Sequence, residues 1–419
     1  MKYKDYILKG NGKFMYIPYG HQSIKEADIQ AVIDVLKSDF LTTGPKVEEF
    51  EKKVADYIGV NYAVAIANGT AALHAACYAA GISEGDEVIT SPITFAASAN
   101  CILYCKARPV FADIDKETYN IDPEDIERKI TNRTKAIIPV DFTGQPCDLD
   151  RILEIAKKHN LIVIEDAAHA LGASYKGKKI GSISDMTTFS FHPVKHITTG
   201  EGGMIMTNDQ KLYEKLKLFR THGITREERY LLHGMEWENQ EKTEEKKQKE
   251  ENSLAEKWKR DPEDYKGPWY YEQIELGYNY RITDIQCALG ISQMDRLGEF
   301  IERRKKLVEQ YNKAFSDCAN IVIPKQLNNT DNSWHLYVIQ ILNHSRREIF
   351  EKLREAGIGV NVHYIPVYTF PYYQRNGYQN VYCKNAEELY KHLISLPLYF
   401  DLTDKQQAYV IDTLKSLLK

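Results

Sequence analysis

Four short stretches of this 419-residue chain bring together residue types that do chemistry in company. Ser190-Phe191-His192-Pro193-Val194-Lys195 sets a lysine behind an apolar run and between two histidines, His192 and His196. An amine condenses with a carbonyl only when part of it is uncharged, which desolvation or cationic neighbours bring about. Ser190 offers a hydroxyl to an anion such as phosphate. Asp166 closes the apolar run Leu161–Glu165, at the strand end where open α/β sheets hold their ligands. A carboxylate there suits a protonated ring nitrogen, and it suits equally the capping of the alanine-rich segment that follows. Asn68-Gly69-Thr70 follows a short apolar run and opens a helical pattern. Free N–H groups and the positive end of a helix favour phosphate there, although an ordinary strand-to-helix turn has the same local sequence. Gly277-Tyr278-Asn279-Tyr280-Arg281 places an amide and a guanidinium just before a further helix, a grouping that serves anion binding or structure.

The elements that must position these residues alternate. Ser23–Ser38 reads as a helix with Ser23 and Glu26 as a capping box, and Val47–Ile58 as a second helix closed by Gly59. Apolar runs at Ala63–Ile66, Val88–Ile89, Val110–Phe111, Ala136–Val140, Leu161–Glu165, Met186–Phe191 and Met204–Thr207 read as strands. Helical patterns such as Thr70–Ala80 and Leu149–His159 fall between them. Runs without alternation, spaced by helices, predict a mostly parallel sheet covered on both faces. Thr283–Leu297 and Arg303–Phe315 continue as helices. Beyond them strands at Leu336–Leu342 and Gly359–His363 mix with helices at Arg346–Ala356, Ala386–Leu393 and Asp404–Leu418. The domains expected are 1–298 and 299–419. An insertion at about 226–268, charged and nearly free of aliphatic residues, interrupts the first; Glu245 and Lys249 stand at helical spacing within it.

Composition narrows the class. A net charge of -4 provides no field for nucleic acid or an anionic membrane, so any phosphorylated ligand must be held locally. The seven cysteines include no C-x-x-C pair, which suits a reducing compartment, and no metal is expected. Residues 1–12 lack an apolar core of the secretory kind, and no run is long enough for a bilayer, so a soluble cytoplasmic protein is expected. No G-x-G-x-x-G follows the first strand, which argues against nicotinamide-dependent sugar chemistry.

With GTAAL (69–73), EDAAHA (165–170), SFHPVKHITTGEGG (190–203) and GYNYRITDIQ (277–286) in this order, the chain resembles the DegT/DnrJ/EryC1/StrS family. These are sugar aminotransferases that use pyridoxal 5'-phosphate (PLP). The resemblance implies fold type I, that of aspartate aminotransferase, with a large mixed-sheet domain and a small α+β C-terminal domain. It implies Lys195 as the Schiff-base lysine, Asp166 on the pyridine nitrogen, and Gly69, Thr70 and Ser190 on the phosphate. Phe95 would stack on the cofactor ring, and His169 would stand near its phenolic oxygen. Asn279 would reach the phosphate of a neighbouring subunit, which makes a homodimer with shared sites. A lysine rather than a histidine at 195 separates the chain from the dehydratases of the family.

The stretches IPYGHQSI, GPWYYEQIELGYNYRITDIQ, SWHLYVIQI and GIGVNVHYIPVYTFPYY resemble the subgroup that aminates a UDP-linked 4-keto-6-deoxy-N-acetyl hexosamine with L-glutamate, in pseudaminic acid biosynthesis. That likeness puts Tyr19, Asp39, Phe40, Leu41, Thr42, Asn361, His363 and Tyr364 along the sugar-nucleotide site. Bacillosamine-, perosamine- or 4-amino-arabinose-type substrates, or a non-catalytic sugar-nucleotide-binding protein of the same fold, are the alternatives.

Overall fold

The computed structural model describes residues 16–231 and 267–419. It divides into two compact units, residues up to 213 together with 281–419, and the described part of 214–280. The expected helix around Glu245 and Lys249 falls outside the described residues.

The first unit is built on seven strands: β1 (Tyr62–Ile66), β2 (Glu87–Thr90), β3 (Arg108–Phe111), β4 (Thr134–Ile138), β5 (Ile162–Asp166), β6 (Met186–Ser190) and β7 (Gly203–Thr207). Their order across the sheet is β1-β7-β6-β5-β4-β2-β3. β7 runs antiparallel to both neighbours, and every other neighbouring pair is parallel. The unbroken apolar runs have the expected cause, since Val64, Ala65, Ile66, Val163, Ile164, Ile137 and Ile138 are wholly buried under layers on both faces. Helices α1 (Glu26–Leu36), α2 (Pro45–Ile58), α3 (Gly69–Ala79), α4 (Ala97–Tyr104), α5 (Pro123–Lys129) and α6 (Leu149–His159) belong to this unit, and α7 (Gln210–Arg220) runs out of it. α3 is buried at nearly every position past its first turn, and its alanines let it lie close against β1, β5, β6 and β7. Because β1, β2, β4, β5 and β6 are parallel, their C-terminal ends open on one edge. Asn68, Ser91, Val140, Asp166 and Ser190 all sit there.

Past α8 (Asp284–Met294) and α9 (Leu297–Phe315), a second sheet orders β8 (Ile321–Val322), β9 (Tyr337–Ile341) and β10 (Leu393–Leu396), all antiparallel. Helices α10 (Arg346–Glu355), α11 (Lys384–His392) and α12 (Asp404–Leu417) accompany it. Among the described residues no helix is long and apolar enough to cross a membrane.

Several expectations are corrected. Ser23 does not cap α1; its hydroxyl donates to Asp401 at 3.3 Å, and the first turn closes on Asp28, which accepts from the Lys25 N–H at 2.9 Å. The helix expected over Thr283–Leu297 breaks at Asp295-Arg296, which lets Arg296 turn in to Asp28. Gly359–His363 is not a strand. Gly359 bonds instead to Ile17, and only Asn361 pairs with Ser395 of β10. Leu393, expected to end a helix, begins β10, because Leu393–Leu396 is buried throughout against β9.

Asp28 is the polar anchor of this arrangement. Wholly buried, it accepts from Ser292 (2.7 Å), Gln293 (2.8 Å) and Arg296 (2.7 Å), locking α1 onto the α8–α9 junction. Asp28→Ala takes the carboxylate from a partly buried guanidinium and from the Ser292 and Gln293 donors, and urea unfolding is expected to show a loss of about 3 kcal/mol.

Candidate active site

Asp166 ends β5, and its backbone is bonded on both sides, N–H to Pro139 and carbonyl from Asp141. Its side chain is buried and accepts from the Ser98 hydroxyl (2.6 Å) at one oxygen and the Ala168 N–H (3.2 Å) at the other. Thr94 lies 2.7 Å from the Ser98 hydroxyl and completes a short chain of hydroxyls from the start of α4. Burial raises the carboxyl's pKa, while Ser98, Ala168 and the charge of Lys195 draw it back. Lys195 comes from the turn after β6, where its N–H donates to the His192 carbonyl at 2.9 Å. Burial lowers its ammonium to about 8, against the opposing attraction of Asp166. Amine and carboxylate therefore share one desolvated place.

The histidines around Lys195 do not act as cations. His169, His196 and His335 are all pushed well below the usual imidazole range by burial, with further lowering from Lys195. His192 is lowered as well, first by burial. Desolvation of the lysine itself, rather than cationic neighbours, is what frees its amine. The rings of His169 and His335 lie 4.3 Å apart. His196 Nε2 faces the Ser333 carbonyl at 3.0 Å and so carries the proton, which leaves its Nδ1 as an acceptor. His169 Nε2 meets the Tyr364 hydroxyl at 3.3 Å.

A second group surrounds this pair. The Asn361 amide stands 3.1 Å from His363 Nε2, so that nitrogen accepts and Nδ1–H donates to the Ser395 hydroxyl at 2.8 Å. Burial, reinforced by Lys195, lowers His363 to about 4. The Tyr19 ring is 5.5 Å from His363, and the Phe95 ring is 6.4 Å from Tyr364. Phe95 is 62% exposed, an open aromatic face beside a buried polar cluster.

The turn at Gly69 meets the end of β6. A Cβ on Gly69 would stand 2.9 Å from Ser190 Cβ and 3.2 Å from its hydroxyl, so only glycine lets α3 begin this close. Asn68 caps the helix by accepting from Ala71 at 2.8 Å. Gly69, Thr70 and Ser190 thus form a cradle with helix-start N–H groups and hydroxyls, the donor set a phosphate needs. With a buried carboxylate at a strand end, an amine that burial brings toward neutrality and an open aromatic face, the residues present fit PLP.

Not every expected residue joins this cluster. Asp39–Thr42 is exposed and is tied to the start of α8, through Leu41 to Asp284 and Thr42 to Thr283. Among the described residues no hydrogen bond or ring contact links it to Lys195. Asn279 belongs to the second unit, where it pairs with Thr221. Ser98 and Thr94 were not singled out in the sequence. Their spacing of one helical turn was visible, but the carboxylate they serve is far away along the chain.

Removing the Ser98 donor takes away an interaction that lowers the Asp166 pKa, so the carboxyl moves further up. Infrared difference spectra at neutral pH are expected to show a larger protonated-carboxyl band in Ser98→Ala than in the wild type. Thr94→Val is expected to lie between them, and an unchanged band would remove Ser98 from this role.

A profile of the DegT/DnrJ/EryC1/StrS aminotransferase family matches residues 22–415. The uncharacterized protein MJ1066 of Methanocaldococcus jannaschii is 43% identical, over 96% of this chain and 98% of that protein. The UDP-4-amino-4,6-dideoxy-N-acetyl-beta-L-altrosamine transaminase of Campylobacter jejuni is 39% identical, over 96% of this chain and 98% of that enzyme. Helicobacter pylori PseC, an aminotransferase of pseudaminic acid biosynthesis, superposes with a TM-score of 0.83 at 31% identity, covering 96% of this chain and 99% of that one. A similar sugar aminotransferase from Streptococcus pneumoniae, Spr1654, has been solved in PLP and PMP forms. The chain belongs to the DegT/DnrJ/EryC1/StrS family as a PLP-dependent sugar aminotransferase.

Proposed function

We propose that the chain transfers the amino group of L-glutamate to the C4 ketone of a UDP-linked 4-keto-6-deoxy-N-acetyl hexosamine, forming UDP-4-amino-4,6-dideoxy-N-acetyl-β-L-altrosamine. The observation that carries this reading is the group Tyr19, Asn361, His363 and Tyr364 gathered beside Lys195. The likeness to the Campylobacter transaminase over nearly the whole chain supports the choice of sugar. His363 held neutral between Ser395 and Asn361 offers the substrate polar edges without adding positive charge. Tyr19 supplies a further wall of the sugar-nucleotide site.

Bound PLP supplies an electron sink for the bond that breaks at the donor's α-carbon. Gly69, Thr70 and Ser190 would hold its phosphate, Phe95 would cover the ring, and His169 would stand by its phenolic oxygen. Asp166 would keep the ring nitrogen protonated. Lys195 Nζ takes the proton from the α-carbon of glutamate in the first half-reaction. In the second it delivers a proton at C4 of the sugar, so the same amine serves both halves. Asn279 reaches the phosphate of a neighbouring subunit, in a cytoplasmic homodimer whose small domain begins at 299.

Lys195→Ala is expected to abolish turnover, measured as 2-oxoglutarate release, while the protein stays folded. The wild type, given glutamate and the UDP-linked 4-keto-L-altrosamine precursor, is expected to yield a product with the mass of the amine. Conversion of the D-configured isomer instead would overturn the choice of sugar and leave the aminotransferase intact. The Lys195 amine is mostly charged below about 8 and neutral above it. Recombination of the apoenzyme with PLP should therefore slow about tenfold per pH unit below that point and level off above it. A flat profile would refute the desolvated lysine.

A further inference from the structure

Lys195 also forms part of the wall of a small cavity that the chemistry described above does not use. His196 from the same turn shares that wall with His21 and Ser23 of the segment before α1, Gln293 of α8 and Arg304 of α9. Asp166, Phe95, Ser190 and Tyr364 take no part in it, so Lys195 joins the two places. The cavity is partly open, and the exposed His21 marks its mouth. Its space is that of about one water molecule.

Two wall residues carry complementary polar atoms. Arg304 is 3% exposed, and its Nη1 donates to the carbonyls of Trp334, His335 and Leu398. Its Nε–H has no partner among the described residues. Burial lowers the guanidinium only to about 10, so it stays charged at neutral pH. His196 is 5% exposed; its Nε2–H goes to the Ser333 carbonyl, and its Nδ1 lone pair has no donor among the described residues. A buried donor and a buried acceptor left unpaired are both costly. One water pairs both, accepting from Arg304 and donating to His196. It keeps a second lone pair for an N–H of Lys195 and a second hydrogen for the mouth. A halide suits the guanidinium but has no proton to give to Nδ1. The titratable side chains in the wall are His21, Lys195, His196 and Arg304, with no carboxylate. Asp28 and Asp401 stand behind it, bonded to Gln293 and Ser23.

We propose that this cavity holds one ordered water, fixed by Arg304 and His196, through which the Lys195 amine exchanges protons with solvent. When the ammonium turns into the free amine, an Nζ–H bond breaks and the proton passes to the water oxygen. The water gives up one of its own hydrogens as a proton toward His21, so water is restored and one proton leaves. Arg304 and His196 are positioning residues here, since they act on the water alone. The inference rests on the reading of Lys195 as the reactive amine, and it adds a solvent route to that amine separate from the substrate side.

High-resolution crystals of the holoenzyme, with and without a bromide soak, test the occupant. A water peak within about 3.2 Å of both Arg304 Nε and His196 Nδ1 is expected. A bromide anomalous peak in its place, or no peak at all, would overturn the proposal. The route is tested with L-glutamate deuterated at its α-carbon, mixed with excess holoenzyme in ordinary water for a single half-reaction. Mass analysis of the released cofactor reads how much label was carried over and how much was lost to solvent. The wild type and Ser23→Ala are expected to lose label equally. Ser23→Leu, whose longer side chain fills the cavity, is expected to keep most of it. Equal loss in all three, or full retention in the wild type, would show that protons do not leave this way. No reaction of glutamate at all would refute the donor instead, and the crystals would still decide what the cavity holds. Neither measurement involves the sugar.

Discussion

A carboxylate and an amine share one desolvated place at the edge of the main sheet, and the rest of the first unit is arranged to make that tolerable. Burying either charge alone is costly. Asp166 is moved toward its neutral form by burial and drawn back by Ser98, the Ala168 N–H and Lys195. Lys195 is moved toward its neutral form in turn and drawn back by Asp166. Each group's position is thus set by the other and by a few donors. An exposed pair would be screened by water and would stay fully charged, without the reactive amine that carbonyl chemistry needs.

The surroundings follow from this constraint. More positive charge near Lys195 would bind anions but compete with Asp166. The chain supplies polar edges from neutral imidazoles instead. His196 is fixed by the Ser333 carbonyl, His363 by Ser395 and Asn361, and His169 by Tyr364. Arg304, the buried cation nearby, is held by the carbonyls of Trp334, His335 and Leu398. Its interactions fasten the chain that carries His335 to α9. The turn at Gly69 likewise depends on packing, because the glycine and the small residues of α3 let the helix start against Ser190.

Much of this was legible from local pattern. Apolar runs without alternation announced buried parallel strands, and each of the seven runs is a strand of the main sheet. Gly59, in the left-handed region at φ 81°, ends α2 as expected. The failures share a cause. Ser23 looked like a cap, but its hydroxyl was claimed by Asp401, almost the whole chain away. Gly359–His363 had the composition of a strand, yet its backbone was divided between Ile17 and Ser395. Leu393 looked like the end of a helix because nothing local distinguishes the start of a buried strand from a buried turn of helix.

The site divides in the same way. Residue type and position along a strand or turn marked out Lys195, Asp166, Ser190 and Gly69, because a nucleophilic amine, a strand-end carboxylate and a close-approach glycine have local signatures. The sequence by itself therefore determined which groups are candidates for the chemistry and the fold class that holds them. Only the tertiary structure decided their protonation and their helpers: that burial rather than the flanking histidines lowers Lys195, that Ser98 supports Asp166, and that Asn361 and Ser395 set the tautomer of His363. Those properties depend on desolvation and on partners distant in sequence. Both arise from the packing of the sheet edge, and neither leaves a trace in the order of neighbouring residues.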